Sequence, residues 1–357
     1  MKIGFVRRGY SATGGAEAYL LRLAHGVAAA GHMPVLVTSA DWPASKWPNE
    51  FVIHAPGGES PERFAREAER AASGCDVVFS MERVFSCDVY RAGDGVHRAW
   101  LERRAAFEPA WKRWLRWTNR KHRELLRLEK CVFSPERTKR VIANSRMVRD
   151  EIVAHYGYPA ERIEVIPNGY DAPAPEPGLR ERRRAELGLA PEAFVALFAG
   201  SGWERKGLRT AIEAARALPE MTLLVAGKGK PFPMPGNARL LGPRAGLQAD
   251  FAAADVFVLP TFYDPFSNAC LEALAAGLPV LTTTANGFSE IVEAGMHGSI
   301  FEPGDAIALV EALRSWRPRA AEAREACRVL ASRYSVAENT RRTLEAITRK
   351  VGLRVEC

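Results

Sequence analysis

Short apolar runs alternate with longer stretches of helical periodicity through the first 170 residues. Runs at 2–8, 34–39, 51–54, 76–81, 141–144 and 163–166 have strand length and end in glycine, proline or polar residues. Between them, 14–30, 61–73 and 145–156 predict helices. Strands alternating with helices predict a mostly parallel sheet covered on both faces. At 172–178 the pattern stops: Ala172-Pro173-Ala174-Pro175-Glu176-Pro177-Gly178 has no periodicity and reads as a linker. The alternation then restarts. Strands are expected at 194–199, 222–226, 256–260, 279–283 and 299–301, and helices at 207–218, 267–276, 306–315, 320–332 and 337–349. The expectation is an α/β protein of two doubly wound, Rossmann-like domains, 1–172 and 191–334, joined by a linker over 173–190. Ligands of such sheets bind beyond the carboxyl ends of the strands, so a cleft lined from both domains is expected.

Composition narrows the class. Of 357 residues, 47% are hydrophobic and 26% charged, which excludes a disordered chain or a small disulfide scaffold. No apolar run reaches the ~18 residues of a spanning helix. Residues 1–8 do not read as a secretion leader, and the six cysteines form no Cys-x-x-Cys pair. Reduced thiols, a cytoplasmic setting and no metal site are therefore expected. The formal net charge is +8, and the placement of that charge is informative. Residues 98–130 hold 11 Lys/Arg against 4 Asp/Glu, with four of the eight tryptophans. Basic residues interleaved with tryptophan point to an anionic membrane surface, an acidic lipid or a nucleic acid.

Three segments carry candidate chemistry. Gly14-Gly15-Ala16-Glu17 lies between the first strand and the first helix, where small residues let a ligand approach free helix amides. A plain turn is the alternative, and no Gly-x-Gly-x-x-Gly fingerprint occurs at either domain start, which weighs against NAD. Gly200-Ser201-Gly202-Trp203-Glu204-Arg205-Lys206-Gly207 places two cations just before a helix. Cations there oppose the helix dipole, a conflict that a bound polyanion would remove; a solvated turn is the alternative. Third, Asp264 stands in a loop, Ser267 or Asn268 caps the next helix, and Glu272 lies about one turn in among Ala269, Leu271, Ala273 and Leu274. A carboxylate in so apolar a helix suits a pair of sugar hydroxyls; an ordinary exposed helix Glu, with Asp264 a turn residue, is the alternative.

With these motifs in order, the chain resembles the GT-B glycosyltransferases of family 4 over nearly its whole length. Asp264 and Glu272 match the family's two acidic residues eight positions apart, although the first is usually Glu. Arg205 and Lys206 match its diphosphate-binding basic pair. Val165-Ile166-Pro167-Asn168-Gly169-Tyr170-Asp171 and Asn286-Gly287-Phe288-Ser289-Glu290-Ile291-Val292 resemble two further motifs, and Gly14-Gly15-Ala16-Glu17 the N-terminal loop. The resemblance implies a GT-B fold whose C-terminal helix, within 335–357, crosses back to the first domain. It implies a retaining transfer from a nucleotide-diphosphate sugar, UDP-linked, with no cofactor. Glu272 would hold the ribose hydroxyls and Asp264 the transferred sugar. Arg205 and Lys206 would neutralise the leaving diphosphate, and the amides at Asn268 and Ala269, after Ser267, would take a phosphate. Gly14, Gly15 and Gly200 would admit the donor closely. No Asp-x-Asp pair occurs, so no metal requirement is expected.

On the acceptor side, Asp94, between Gly93 and Gly95, could orient or deprotonate a hydroxyl. A turn aspartate of type I′ or II is the alternative. His97 could do the same or bind the donor sugar; a surface histidine is its alternative. Placed on one helix over 111–130, Trp111, Trp114, Leu115, Leu125 and Leu126 form an apolar stripe. Lys112, Arg113, Arg116, Arg120, Arg123, Arg127 and Lys130 form the opposite band. That band, with Trp117, is the candidate membrane-facing surface; a solvated face is the alternative. A basic, tryptophan-containing region of this kind is similar to that of lipopolysaccharide-core heptose glucosyltransferases. The resemblance therefore implies an anionic glycolipid acceptor and a peripheral position at the inner face of the inner membrane. A GT-B sugar-nucleotide epimerase and a nucleic-acid binder using the basic helix are the competing classes. The second leaves Asp264, Glu272, Arg205 and Lys206 unexplained, so no nucleic-acid partner is expected.

Overall fold

The computed structural model describes residues 1–10, 15–39, 42, 46–49, 51–105, 107–108, 119–229, 233–244 and 246–349. They divide into two units, residues 1–167 with 337–357 and residues 168–336. Unit 1 runs β1 (Lys2–Val6), α1 (Gly15–Ala29), β2 (Met33–Thr38), β3 (Val52–His54), α2 (Pro61–Ala71), β4 (Val77–Ser80), β5 (Cys87–Ala92) and α3 (His97–Ala105). It continues with α4 (Arg120–Val132), β6 (Thr138–Ala143), α5 (Arg146–Tyr156) and β7 (Ile163–Val165). All seven strands are parallel, in the order β3-β2-β1-β4-β5-β6-β7. The central strands are buried on both faces, which explains why β1 reads Ile-Gly-Phe-Val rather than alternating. Phe5, Leu20, Leu23, Leu36, Val77 and Phe79 form the centre of its core.

Unit 2 runs α6 (Leu179–Glu186), β8 (Phe194–Ala199), α7 (Leu208–Ala217), β9 (Met221–Ala226), β10 (Ala238–Gly242), α8 (Gln248–Ala253), β11 (Val256–Leu259) and α9 (Asn268–Ala275). It continues with β12 (Val280–Thr283), β13 (Gly298–Phe301), α10 (Ala306–Trp316) and α11 (Arg324–Ser332). Its six strands are also parallel, ordered β10-β9-β8-β11-β12-β13. The last helix, α12 (Val336–Thr348), belongs almost wholly to unit 1. There Asn339 Nδ2 donates to Pro167 O at 2.5 Å, Arg342 to Val165 O at 2.8 Å, and the Tyr19 and Thr343 hydroxyls meet at 3.0 Å. A Cβ at Gly26 would stand only 3.1 Å from Leu344, so glycine sets how closely α1 meets α12. Two doubly wound sheets with the final helix returned to the first are the GT-B architecture.

Most elements fall where the periodicity puts them, and local chemistry sets their ends. Ser60, Ser145 and Ser267 cap α2, α5 and α9, and Gly157 (φ 62°) closes α5 in the left-handed region. Three differences stand out. The stretch read as linker contains α6, whose anchorage is ionic: Arg183 pairs with Asp250 at 2.8 Å and Arg184 with Asp255 at 2.9 Å. The pair β10 and α8 goes unpredicted. Finally, the helix expected over 111–130 does not run through: α4 starts at Arg120 behind Asn119, whose extended backbone and side-chain oxygen, bonded to Lys121 N at 3.0 Å, make it an N-cap.

Candidate active site

The strand order reverses between β8 and β11, so the loops leaving those two strands lie side by side, where parallel sheets bind ligands. The β8 loop carries Gly200, Arg205 and Lys206; the β11 loop carries Tyr263 and Asp264. Phe262 N and Thr261 Oγ1 donate to Arg205 O at 2.8 and 2.9 Å, and Arg205 Nη1 donates to Tyr263 O at 3.1 Å. Lys206 Nζ pairs with Asp264 Oδ2, and both side chains are largely buried. The conflict between Lys206 and the N-terminus of α7 is thus already relieved in part by Asp264, not left wholly to a ligand. Backbone closeness sets the loop. At Gly207 (φ 78°) a Cβ would fall 1.8 Å from Pro260 O, and at Gly227 (φ 127°) one would fall 2.0 Å from Gly200 O. Only glycine permits these crossings.

Asn286 holds the far side. Its Oδ1 accepts from Phe288 N at 3.1 Å and Ser267 N at 3.4 Å, and its Nδ2 donates to Thr282 Oγ1 at 2.9 Å. Asp264 N donates to Ala285 O at 3.0 Å, and Gly287 N to Asp264 O at 2.9 Å. The whole assembly fixes the N-terminus of α9. Ser267 Oγ accepts from Cys270 N at 3.4 Å, which leaves the amides of Asn268 and Ala269 without an intrahelical acceptor by geometry. An anion beside Lys206 therefore meets a helix N-terminus as well.

Glu272, one turn into α9, is half-buried, and no described residue donates a hydrogen bond to its carboxylate. Burial alone pushes its pKa up. Burial also raises the phenol of Tyr170, against a hydrogen bond with Gln248 and with a smaller contribution from the Glu272 charge. Both line a cavity of about 480 Å³ with Gln248, Phe251, Arg324 and Arg328, a size within the range of small-molecule sites. An underbonded carboxylate in such a cavity accepts hydroxyl donors from a ligand.

Unit 1 has its own switch point, between β1 and β4. Arg7, one residue beyond β1, donates to Glu17 and Glu82, each at 2.9 Å. Glu17, on α1, is therefore an ion-pair partner and not only a helix-start acid. Gly15 begins α1, and Gly14 lies outside the described residues. Asp94 is exposed in a turn closed by Gly95 N to Ala92 O at 3.1 Å. Neither Gly93 nor Asp94 has positive φ, so the turn is neither type I′ nor type II. Below it sits Glu129, fully buried, a residue that sequence reading passed over inside the basic band. Its carboxylate accepts from His97 N at 2.6 Å, Arg98 N at 3.0 Å, Tyr156 Oη at 2.6 Å and Arg83 Nε at 2.9 Å. Glu129 is thus the anion at the N-terminus of α3. Arg83 also donates to Gly95 O at 2.8 Å, tying the Asp94 turn to α4. The only sequence signal for Arg7, Glu82 and Arg83 is their position directly after buried strands.

On α4, Arg120, Lys121, Arg123, Arg127 and Lys130 are exposed, and the inward side carries Glu124, Leu128, Glu129 and Val132. The inward face is therefore half acidic, and Leu125 and Leu126 are only half-buried. Arg120 pairs with Glu124 at 2.8 Å and Arg127 with Glu62 at 3.1 Å; Arg123 has no ion pair among the described residues. These five groups line a second cavity of about 320 Å³. Lys112, Arg113, Arg116 and Trp117, with the Trp111, Trp114 and Leu115 of the expected stripe, lie outside the described residues. No helix of the described residues is long and apolar enough to cross a membrane.

Comparison with known proteins follows this division. The family described as Glycosyltransferase Family 4 matches residues 13–172, and that described as Glycosyl transferases group 1 matches 193–316. The lipopolysaccharide glucosyltransferase WaaG of Escherichia coli (strain K12) is 29% identical over 342 residues, 88% of this chain and 89% of that protein. The D-inositol 3-phosphate glycosyltransferase of Paenarthrobacter aurescens (strain TC1) is 33% identical over 183 residues, and the chain spans only 45% of its length. Among solved structures, WaaG superimposes with a TM-score of 0.80 over 97% of this chain and 99% of that one, at 24% identity. Anabaena Alr3699/HepE, solved with UDP and glucose, gives 0.73 at 20% identity over 98% and 99%.

Proposed function

We infer, for a chain that is a glycosyltransferase of the GT-B type with a Family 4 domain followed by a group 1 domain, that it moves a hexose from a UDP-linked donor onto an anionic glycolipid acceptor, with retention and without a metal. The observation that carries this reading is Glu272: a half-buried carboxylate with no hydrogen-bond donor among the described residues, on the helix α9 that follows the loop in which Asp264 pairs with Lys206. Glu272 takes the ribose hydroxyls. The α9 N-terminus, Lys206 and Arg205 take the diphosphate.

The chemistry follows from where charge develops. As the bond between the sugar carbon and the diphosphate oxygen breaks, positive charge grows on the sugar and negative charge on the leaving group. Cations and helix amides already fixed at the leaving group stabilise that state without reorganisation. In this reading Arg205 and Lys206 do the work that a metal does elsewhere. Asp264, held by Lys206, faces the transferred sugar. The acceptor hydroxyl attacks from the face the diphosphate leaves and passes its proton to the departing diphosphate oxygen, so no protein nucleophile is required, and Asp94 is the residue assigned to orient that hydroxyl.

The acceptor class rests on similarity to WaaG, a lipopolysaccharide glucosyltransferase by name, and on the exposed basic face of α4. That face suits an anionic lipid surface, which supports reading the enzyme as peripheral at the inner face of the inner membrane. Calorimetric titration of UDP, GDP and ADP in EDTA tests the donor site. UDP is expected to bind selectively, and Lys206→Ala and Glu272→Ala each to weaken it about 10- to 100-fold, the worth of a charge-assisted hydrogen bond. Absence of binding by all three nucleotides would overturn the reading.

A further inference from the structure

Asn286, shortly after β12, is fully buried and caps a short turn of 3-10 helix, Gly287–Ile291. Both ends of its side-chain amide are in use. Phe288 N and Ser267 N lie 3.1 and 3.4 Å from one side-chain atom, and backbone N–H groups only donate, so that atom is the oxygen. The amide therefore points one way. Its Nδ2 donates to Thr282 Oγ1 at 2.9 Å and to Cys270 Sγ at 3.4 Å. Thr282 gives its own hydroxyl proton to Leu259 O at 2.8 Å, which leaves Oγ1 to accept. One side chain thus joins the end of β11, strand β12, and the cap and first turn of α9. The backbone on either side of it brackets Asp264: Asp264 N donates to Ala285 O at 3.0 Å, and Gly287 N to Asp264 O at 2.9 Å. Asp264 in turn pairs with Lys206.

With no exposed surface, Asn286 meets no ligand itself. Its partners carry the groups assigned to the diphosphate: the start of α9 through Ser267, and Lys206 through Asp264. A carboxylate at this position would accept the same two N–H bonds, but it would bring a negative charge to the helix end that is to hold an anion. A carboxamide accepts them without that charge. We propose that Asn286 is a positioning residue for the donor diphosphate: its neutral amide fixes the α9 N-terminus and the Asp264 loop as one unit and leaves the positive end of the helix to the phosphate. The inference rests on the donor-site reading and adds to it a residue that touches no substrate.

Two variants test it. Asn286→Ala removes the amide, and Asn286→Asp keeps its shape and its acceptor while adding the charge. UDP affinity is read by calorimetry and uridine affinity by ligand-observed NMR, because uridine lacks the diphosphate. Both variants are expected to bind UDP about tenfold more weakly than wild type, with uridine within about twofold. Hydrogen exchange at Cys270 and Leu271, whose own acceptors on Ser267 are untouched, is expected to quicken about tenfold in Asn286→Ala and to stay unchanged in Asn286→Asp, with β9 unaffected in both. Unchanged UDP affinity in either variant overturns the proposal. So does an equal loss of UDP and uridine, which is what a merely structural residue would give. If Asn286→Ala does not fold, Asn286→Asp decides by the same comparison. If wild type binds no UDP, the donor reading fails, and hydrogen exchange decides this one: equal protection of Cys270 and Leu271 in wild type and Asn286→Ala overturns it.

Discussion

Glu272, the residue proposed to bind the ribose, is half-buried at a cost to the folded protein. Burial raises its pKa, and no partner lowers it. A carboxylate with a raised folded-state pKa binds more protons folded than unfolded, so native stability falls as pH rises above the ordinary carboxylate range near 4.3. Glu272→Gln removes that cost. At pH 7 the variant is expected to resist urea better than wild type, and the gap is expected to close below pH 4. Its affinity for UDP is expected to fall about 10- to 100-fold. A lower urea midpoint at pH 7 would show that the carboxylate is stabilised by the protein. The residue itself was legible in sequence, as an acid among Ala and Leu. Its lack of a partner was not, because partners come from elements distant along the chain. Glu129 is the reverse case. In the sequence it is one more charge in a basic run; in the fold it is fully buried and accepts four hydrogen bonds.

At the scale of elements, sequence reading succeeds where an apolar face does the anchoring and fails where charge does. Helix α6, Leu-Arg-Glu-Arg-Arg-Arg-Ala-Glu, has almost no apolar face, and ion pairs to Asp250 and Asp255 dock it. Strand β10 lies at the sheet edge with Leu240 exposed, so its pattern is weak. In α4 the periodicity was present but ran through a cap. Asn119 Oδ1 accepts from Lys121 N at 3.0 Å and His122 N at 3.4 Å. Asn119→Ala is expected to destabilise the first turn of α4 by about 1 kcal/mol. Hydrogen exchange is expected to report this as roughly fivefold faster exchange at Arg123 and Glu124, with α9 unchanged. Equal exchange in both proteins would mean that the side-chain cap contributes nothing.

For the whole molecule, the excess positive charge is concentrated and not spread, and five of its described cations, Arg120, Lys121, Arg123, Arg127 and Lys130, stand exposed on α4. Each basic residue near an anionic leaflet is worth about 1 kcal/mol, but Arg120 and Arg127 are partly neutralised by Glu124 and Glu62. The combined change Arg120→Ala, Arg123→Ala and Arg127→Ala is therefore expected to weaken binding to phosphatidylglycerol-containing vesicles by about 10-fold, and by less as salt rises. Unchanged sedimentation with vesicles would return this face to the role of a solvated surface. Period and caps determined the larger part of the architecture from sequence alone: two parallel sheets, most helix ends, and the residue types that suit a nucleotide sugar. These are local properties, set by neighbours within a turn or a strand. Which loops meet was decided only by the tertiary structure. Arg205, Lys206 and Asp264 come together across 58 residues because β8 and β11 are neighbours in a sheet whose order reverses there. Parallel strands are joined by crossovers, so the ends that share a site are never adjacent in the chain, and packing alone selects the pair.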